Sequence, residues 1–210
     1  MSRGSAVIIL DFSGGNSCRN ELEEVKRMID ALANIDHQRK CIIKWQLFEK
    51  CGDNTPLRRH IFAQAYTYAW EIYGYETTAS VFDKSSLDFL MRFDVPFVKI
   101  ANNEKYYPLI QMIPEGMPIL KSVGSPEDFR GDCTFLCCVS EYPAHTKQYE
   151  KIFKKAQLKK GISDHTEGLD LYKKYQPETW EKHFVLERGV PTNPDSGPFA
   201  ILPGELVEIL

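Results

Sequence analysis

Two lysines stand inside runs of apolar residues and point to chemistry in this chain. Lys44 lies in the sequence Cys-Ile-Ile-Lys-Trp-Gln, and Lys99 lies in Phe-Val-Lys-Ile-Ala. A buried ammonium group without a partner is costly, so each lysine must face a carboxylate or a bound anion. Pairing with a carboxylate such as Asp11 or Glu104 would explain one lysine. Two such lysines on different strands favour an anionic ligand.

Two histidines in the last quarter of the chain could hold a metal ion. His165 follows an apolar run in Ser-Asp-His-Thr, and His183 lies within one in Glu-Lys-His-Phe. Two imidazoles on neighbouring strands are suitable ligands for a divalent cation. A lone histidine is more often a hydrogen-bonded structural residue, but a pair close to carboxylates favours the role of ligand.

Other side chains that could bind a ligand or take part in a reaction lie on the same short apolar runs or just after them. The chemistry requires that the fold bring these scattered positions together with the lysines and histidines. They are Asp11, Gln46, Ser80, Phe82, Asn102, Glu104, Ser122, Ser140, Tyr142, Ser163 and Glu181.

The apolar runs themselves are short, rich in Val, Ile and Phe, and separated mostly by helical patterns. Between the first two runs, residues 21–35 place Leu22, Val25, Met28, Ile29 and Leu32 on one helical face. A later helix is predicted over residues 85–93, with Ser85 as its N-cap. Strands are predicted at residues 6–12, 41–48, 77–82, 97–101, 118–123, 133–139, 161–164 and 180–186.

Alternation of strands and helices implies parallel strands joined by right-handed crossovers. We therefore predict an α/β fold, a compact (β/α)₈ barrel formed as a single domain by residues 1–210. An open doubly wound sheet is the alternative, and it would leave two strand edges unpaired. In a barrel, active sites lie at the carboxyl ends of the strands, which is where the residues named above are expected.

Composition excludes several classes of protein. The net charge is −3 and no long basic run is present, which argues against binding nucleic acid. No apolar run approaches the roughly 20 residues of a membrane span, and the N-terminus has no signal-peptide pattern. We expect a cytoplasmic protein. The six cysteines form no CxxC pair and are interpreted as free thiols.

Five motifs together resemble the sialic acid synthase (NeuB) family. They are Lys-Trp-Gln at 44–46, Val-Pro-Phe-Val-Lys-Ile-Ala at 95–101, Cys-Val-Ser-Glu-Tyr-Pro at 138–143, Ser-Asp-His-Thr at 163–166 and Glu-Lys-His-Phe at 181–184. They occur in the same order as in the family, and the resemblance runs from about residue 6 to about residue 205. The family's catalytic domain is a (β/α)₈ barrel, in agreement with the strand count.

The resemblance implies an enzyme that condenses phosphoenolpyruvate with an N-acetylated hexosamine such as N-acetylmannosamine, releasing phosphate. Lys44 and Lys99 would hold the phosphate and carboxylate of phosphoenolpyruvate. His165 and His183 would bind a divalent metal, Mn²⁺ or Mg²⁺. The catalytic candidates are Glu104, Asp195, Asp11 and Tyr142. The remaining substrate-binding candidates are Gln46, Ser80, Phe82, Asn102, Ser122, Ser140 and Ser163.

The chain also departs from the family pattern. Asp11 stands where the family usually has Glu, and Asn102 stands where it has Ser. We expect the small C-terminal antifreeze-like domain to be missing, which in the family reaches across a dimer and supplies an arginine to the sugar site. A homodimer remains one expectation, and the acceptor sugar is open. Two alternatives stay open: a degenerate barrel that binds a sugar or phosphate without turnover, and another barrel that uses phosphoenolpyruvate or a sugar phosphate.

Overall fold

Eight parallel strands close into a barrel in sequence order. The structure, a computed structural model, describes residues 6–129, 131–156 and 161–210. Each strand pairs with the next, and β1 pairs with β8, so no strand edge is left open. The predicted (β/α)₈ barrel is confirmed, and the open sheet is wrong. The strands are β1 Val7–Asp11, β2 Cys41–Leu47, β3 Thr77–Val81, β4 Val98–Ile100, β5 Ile119–Val123, β6 Thr134–Cys138, β7 Gly161–Ser163 and β8 Thr179–His183.

Helices of varied length cover the outside of the barrel. The α-helices are α1 Gly15–Cys18, α2 Leu22–Ala33, α3 Arg59–Tyr68, α4 Lys84–Leu90, α5 Thr146–Ala156, α6 Asp170–Tyr175 and α7 Pro203–Leu206, with a π-helix at Ala69–Tyr73. Short 3₁₀ helices occur at Glu104–Met112, Pro126–Asp128, Pro194–Ser196 and Val207–Ile209. None of the described helices is long and apolar enough to cross a bilayer.

Side chains along each strand point alternately toward the core beneath the helices and toward the interior of the barrel. On β2, Ile43 and Trp45 are buried in the large core beneath the helices, whereas Lys44 and Gln46 line the interior of the barrel. The lower part of that interior is closed by a second apolar cluster of Ile9, Phe97, Leu120 and Leu136. The barrel therefore has an apolar floor, and its polar interior lies toward the carboxyl ends of the strands.

The N-terminus of α4 differs from the prediction. The helix begins at Lys84, and its N-cap is Asp83, whose side chain accepts a hydrogen bond of 2.7 Å from the Ser86 N–H. The predicted cap, Ser85, lies in the first turn and its hydroxyl accepts from Arg59 instead. Asp83 is the better cap because its backbone is extended, which lets the carboxylate reach the free N–H groups of the first turn.

Candidate active site

A cavity of about 270 Å³ opens among the carboxyl ends of the strands. Nearly all of the predicted site residues line it. Glu104 does not: it lies on the surface at the start of a 3₁₀ helix, exposed and outside the cavity wall. The predicted residues brought together are Asp11, Lys44, Gln46, Ser80, Phe82, Lys99, Asn102, Ser122, Ser140, Tyr142, Ser163, His165, His183 and Asp195.

The two lysines converge on one carboxylate deep in this cavity. Lys44 Nζ lies 3.2 Å from Glu181 Oε1 and 2.7 Å from Asp11 Oδ2. Lys99 Nζ lies 3.4 Å from Glu181 Oε2 and donates a 2.7 Å hydrogen bond to Ser122 Oγ. Both lysines are almost completely buried, at 2% and 3% exposure. The bridging acid is thus Glu181, and Glu104 is not part of the pairing.

The resemblance gave Glu181 no role, although the sequence carries a signal for it. Glu181 lies on β8 two residues before His183, and both side chains line the cavity. A carboxylate inside a buried strand is as unusual as a buried lysine. Glu181 was expected at the carboxyl ends of the strands, and the alternation of strand residues puts its side chain on the same face of β8 as that of His183.

Electrostatics distinguishes the two lysines. Burial lowers the pKa of Lys44, but Asp11 and Glu181 outweigh burial and hold that pKa above 10.5. Burial also lowers the pKa of Lys99. The Glu181 charge opposes this shift but the Lys44 charge adds to it, so the pKa of Lys99 lies below 10.5. For Glu181, burial raises the pKa, but Lys99 and Lys44 outweigh it and hold the carboxyl below its usual 4.5. Lys99 is therefore the less compensated cation.

Gln46 joins the lysine cluster to a second carboxylate. Its side-chain Nε2 donates to Asp11 Oδ2 at 3.0 Å and to Asp195 Oδ2 at 3.2 Å. Asp195 lies in the 3₁₀ helix Pro194–Ser196, where the Asn193 side chain accepts a hydrogen bond from its N–H. One amide group thus fixes two carboxylates on the same side of the cavity, where they can accept hydrogen bonds from hydroxyl groups of a ligand.

The two histidines face the same cavity, with ring centroids 5.6 Å apart. His165 Nδ1 lies 2.6 Å from the Val139 carbonyl oxygen. Since a carbonyl only accepts, Nδ1 carries the hydrogen and leaves Nε2 of the neutral ring with a free lone pair. His183 Nδ1 is buried, 3.6 Å from Asp11 Oδ2, and has no hydrogen-bond partner among the described residues. The Tyr142 ring, 53% exposed, packs against His165 with centroids 4.3 Å apart.

The two imidazoles are the predicted metal ligands. Within the described part of the chain, no group of three or more His, Cys, Asp or Glu side chains is arranged to hold a metal ion. A lone pair on His165 and an unpartnered buried nitrogen on His183 fit two ligands to a divalent cation, with water completing its coordination.

Five further residues line the cavity without having been predicted to do so: Cys51, Asn54, Ala101, Cys138 and Lys182. Cys51 and Asn54 lie in the loop after β2 and are joined there by an isolated bridge. Cys138 ends β6, with its sulfur 4.0 Å from His165 Nδ1. The loop residues carry no sequence signal, since they lie outside any strand or helix pattern. Cys138 lies in an apolar strand, where its sequence context indicates a buried core residue and not a cavity-lining one.

Comparison with known proteins identifies the family. The sequence model of the NeuB family matches residues 24–210. A search of curated protein sequences finds no match. Among solved structures, the N-acetylneuraminic acid synthetase of Leptospira borgpetersenii serovar Hardjo-bovis, in complex with citrate, is 21% identical with a TM-score of 0.76 over 98% of this chain and 81% of its own. A spore coat polysaccharide biosynthesis protein of Bacillus subtilis is 19% identical, with a TM-score of 0.68 over 99% of this chain and 67% of its own.

These two structures share the fold. The family match covers most of the chain and includes every strand from β2 to β8. The cavity, its two lysines and its two histidines all lie within the matched residues, except for Asp11 at the end of β1. The chain belongs to the NeuB family.

Proposed function

We propose that this protein is a sialic acid synthase-like enzyme that condenses phosphoenolpyruvate with an N-acetylated hexosamine such as N-acetylmannosamine, giving a nonulosonic acid and phosphate. The observation that carries the proposal is the convergence of Lys44 and Lys99 in one buried cavity beside His165 and His183. Membership of the NeuB family supports it.

Phosphoenolpyruvate would bind at the lysine end of the cavity. It carries a phosphate and a carboxylate, and the anion would approach Lys99 in particular, which contacts only one carboxylate, Glu181. Hydroxyls of Ser80 and Ser122 already lie 2.9 and 2.7 Å from the lysine nitrogens, and Ser163 lines the same wall. These groups can serve the remaining acceptor positions of the anion, since buried polar groups need partners.

The sugar would occupy the outer half, near Gln46, Tyr142 and Asp195. The Asp195 carboxylate, which accepts a hydrogen bond from Gln46, is suited to accept hydrogen bonds from sugar hydroxyls. His165 and His183 would hold a divalent cation, Mn²⁺ or Mg²⁺, which when bound supplies polarisation of the sugar aldehyde. In the reaction, the methylene carbon of phosphoenolpyruvate bonds to the aldehyde carbon. Water then adds to the former enol carbon, and one of its protons ends on the former aldehyde oxygen. The carbon–oxygen bond to phosphate breaks, so phosphate leaves with its bridging oxygen and the second proton, and a keto group remains.

Phosphate release tests this function directly. Purified protein is supplied with phosphoenolpyruvate, N-acetylmannosamine and Mn²⁺, and inorganic phosphate is measured while the sugar acid is identified by mass spectrometry. In water labelled with ¹⁸O, we expect label in the sugar acid and none in the released phosphate. Phosphate that carries ¹⁸O would mean hydrolysis at phosphorus and would contradict the proposal.

A barrel that binds the anion without turnover is the second candidate. The exposed position of Glu104, outside the cavity, favours it, because the family's matching carboxylate belongs to the active site. The two candidates differ in one result. The second candidate predicts calorimetric binding of phosphoenolpyruvate with no phosphate release for any N-acetylated hexosamine supplied.

A further inference from the structure

A single buried hydroxyl supports the cavity wall from behind. Tyr149 lies on α5 and is fully buried. Its hydroxyl donates a 2.7 Å hydrogen bond to the Ser163 carbonyl oxygen and accepts one of 3.0 Å from the His165 N–H. Ser163 and His165 both line the cavity and flank Asp164, so this one oxygen fixes the backbone on both sides of the turn.

The rest of the turn is tied to β8. The Asp164 carboxylate accepts from the Thr166 N–H at 2.8 Å and from Trp180 Nε1 at 3.0 Å. Lys182 Nζ donates to the Thr166 carbonyl at 2.7 Å and lies 3.4 Å from Asp164 Oδ2. These contacts join the turn to the strand that carries His183, whereas Tyr149 joins it to α5. Asp164 and Thr166 are therefore held by β8, and the amide of His165 depends on the tyrosine.

The His165 residue has three anchors. Its ring donates from Nδ1 to the Val139 carbonyl, its backbone carbonyl accepts from the Ala144 N–H at 2.8 Å, and its N–H donates to Tyr149. Loss of the tyrosine hydroxyl would leave a buried N–H without a partner, and such a group moves toward another acceptor or water. The imidazole of His165 now faces His183, and that movement would turn it away from His183.

We propose that Tyr149 is a positioning residue of the metal site: its hydroxyl holds the backbone of His165 so that the imidazole faces the cavity beside His183. The inference rests on the proposed function, in which these two histidines hold the cation. Partners that orient a metal ligand without touching the metal commonly change metal affinity by about 10–100-fold when removed. Tyr149 has this relation to His165 through the backbone.

The test is Tyr149→Phe, which removes one oxygen and keeps the ring packed beside Phe153, whose centroid is 6.3 Å away. Tyr172→Phe is the matched control, because Tyr172 is half-buried in the same helical layer and packs against Trp180 at 5.0 Å. Mn²⁺ alone is the probe, and free Mn²⁺ is followed by electron paramagnetic resonance. We expect Mn²⁺ to bind Tyr149→Phe about 10–100-fold more weakly than the wild type and to bind Tyr172→Phe unchanged.

A second readout separates positioning from loss of the fold. Circular dichroism checks that each variant is folded at the temperature of titration, and turnover is measured against both Mn²⁺ and phosphoenolpyruvate. A positioning role raises the KM for Mn²⁺ far more than the KM for phosphoenolpyruvate. Equal Mn²⁺ affinity in wild type and Tyr149→Phe, or equal losses in both variants, overturns the inference while leaving the proposed function intact. Absence of Mn²⁺ binding by the wild type overturns the inference, whereas the proposed function is overturned by the phosphate-release experiment.

Discussion

Among single residues, Lys44 and Lys99 occupy the same cavity but have different partners. Lys44 contacts two carboxylates, Asp11 and Glu181, whereas Lys99 shares only Glu181. The difference separates a structural contribution from a binding contribution. Lys44 lies between two buried carboxylates, whereas Lys99 has one carboxylate and the Ser122 hydroxyl as partners, so we expect Lys99 to contribute more to anion binding.

We expect Lys99→Met to lower phosphoenolpyruvate affinity by about 2–5 kcal/mol, roughly thirtyfold to several-thousandfold. Lys44→Met should weaken binding too, and it should also lower the free energy of unfolding by about 3–5 kcal/mol, since it leaves buried Asp11 uncompensated. Calorimetry with phosphoenolpyruvate and urea unfolding measure the two effects. Unchanged affinity in both variants, with a clear drop in melting temperature, would instead assign both lysines a purely structural role.

The lowered pKa of Glu181 predicts how stability depends on pH. In the unfolded chain the pKa of Glu181 is about 4.3. In the folded state burial raises this pKa, but Lys99 and Lys44 outweigh burial and hold it well below the unfolded value. The ionised carboxylate therefore stabilises the fold fully above the unfolded pKa, and this contribution is lost as pH falls toward the folded pKa.

A comparison of the wild type with Glu181→Gln checks the sign. Urea unfolding is measured from pH 7 down to pH 3. We expect the wild type to be the more stable protein at neutral pH, and its advantage to shrink steadily once the pH falls below about 4.3. Because the Glu181 charge opposes the lowering of the pKa of Asp11, the comparison is repeated in an Asp11→Asn background, where Asp11 cannot contribute to the difference. A wild-type advantage that stays constant or grows with acid would contradict the assignment.

For individual elements, the start of α4 offers a test that does not involve the active site. Asp83 accepts from the Ser86 N–H and, through its other oxygen, from the Glu49 N–H at 2.8 Å. We expect Asp83→Ala to lower the free energy of unfolding by about 0.5–2 kcal/mol. Ser85→Ala, two residues further along in the first turn, is the control and should change the free energy of unfolding by less than about 0.5 kcal/mol. Urea denaturation of both variants measures the difference, and the reverse order would restore Ser85 as the cap.

The same helix shows where sequence reasoning about elements stops. The apolar pattern located the helix between β3 and β4, but the cap depends on the extended backbone of Asp83 and on a partner from the distant Glu49 loop. Neither the backbone conformation of Asp83 nor its contact with Glu49 can be inferred from the neighbouring residues in the sequence. Strands were located more accurately, because a buried strand is bounded by polar residues on both sides. The predicted run at 77–82, for example, contains the observed β3 Thr77–Val81.

Across the whole molecule, the closed barrel explains why so much of the site was predictable. Once strands are parallel and closed, every carboxyl end lies on one face, so residues such as Lys44, Ser122 and His183 must converge. Glu104 follows a different rule: it begins a 3₁₀ helix after β4, and the path of that helix carries the side chain to the surface. Positions on strands are fixed by the barrel, whereas positions beyond strand ends depend on loop paths that the sequence does not encode locally.

Among the described residues, the apolar floor of Ile9, Phe97, Leu120 and Leu136 closes the lower end of the barrel interior. We therefore expect ligands to enter from the carboxyl ends of the strands, and this constrains the kinetics. Lys99 is buried to 3% exposure, whereas Tyr142 near the mouth is 53% exposed. In the proposed reaction, a sugar seated against Tyr142 would block passage to the lysines, so we expect phosphoenolpyruvate to bind before the sugar. An unreactive analogue of the hexosamine should therefore inhibit competitively against the hexosamine and uncompetitively against phosphoenolpyruvate. Steady-state inhibition patterns measure this, and noncompetitive inhibition against phosphoenolpyruvate would indicate random addition through a wider opening.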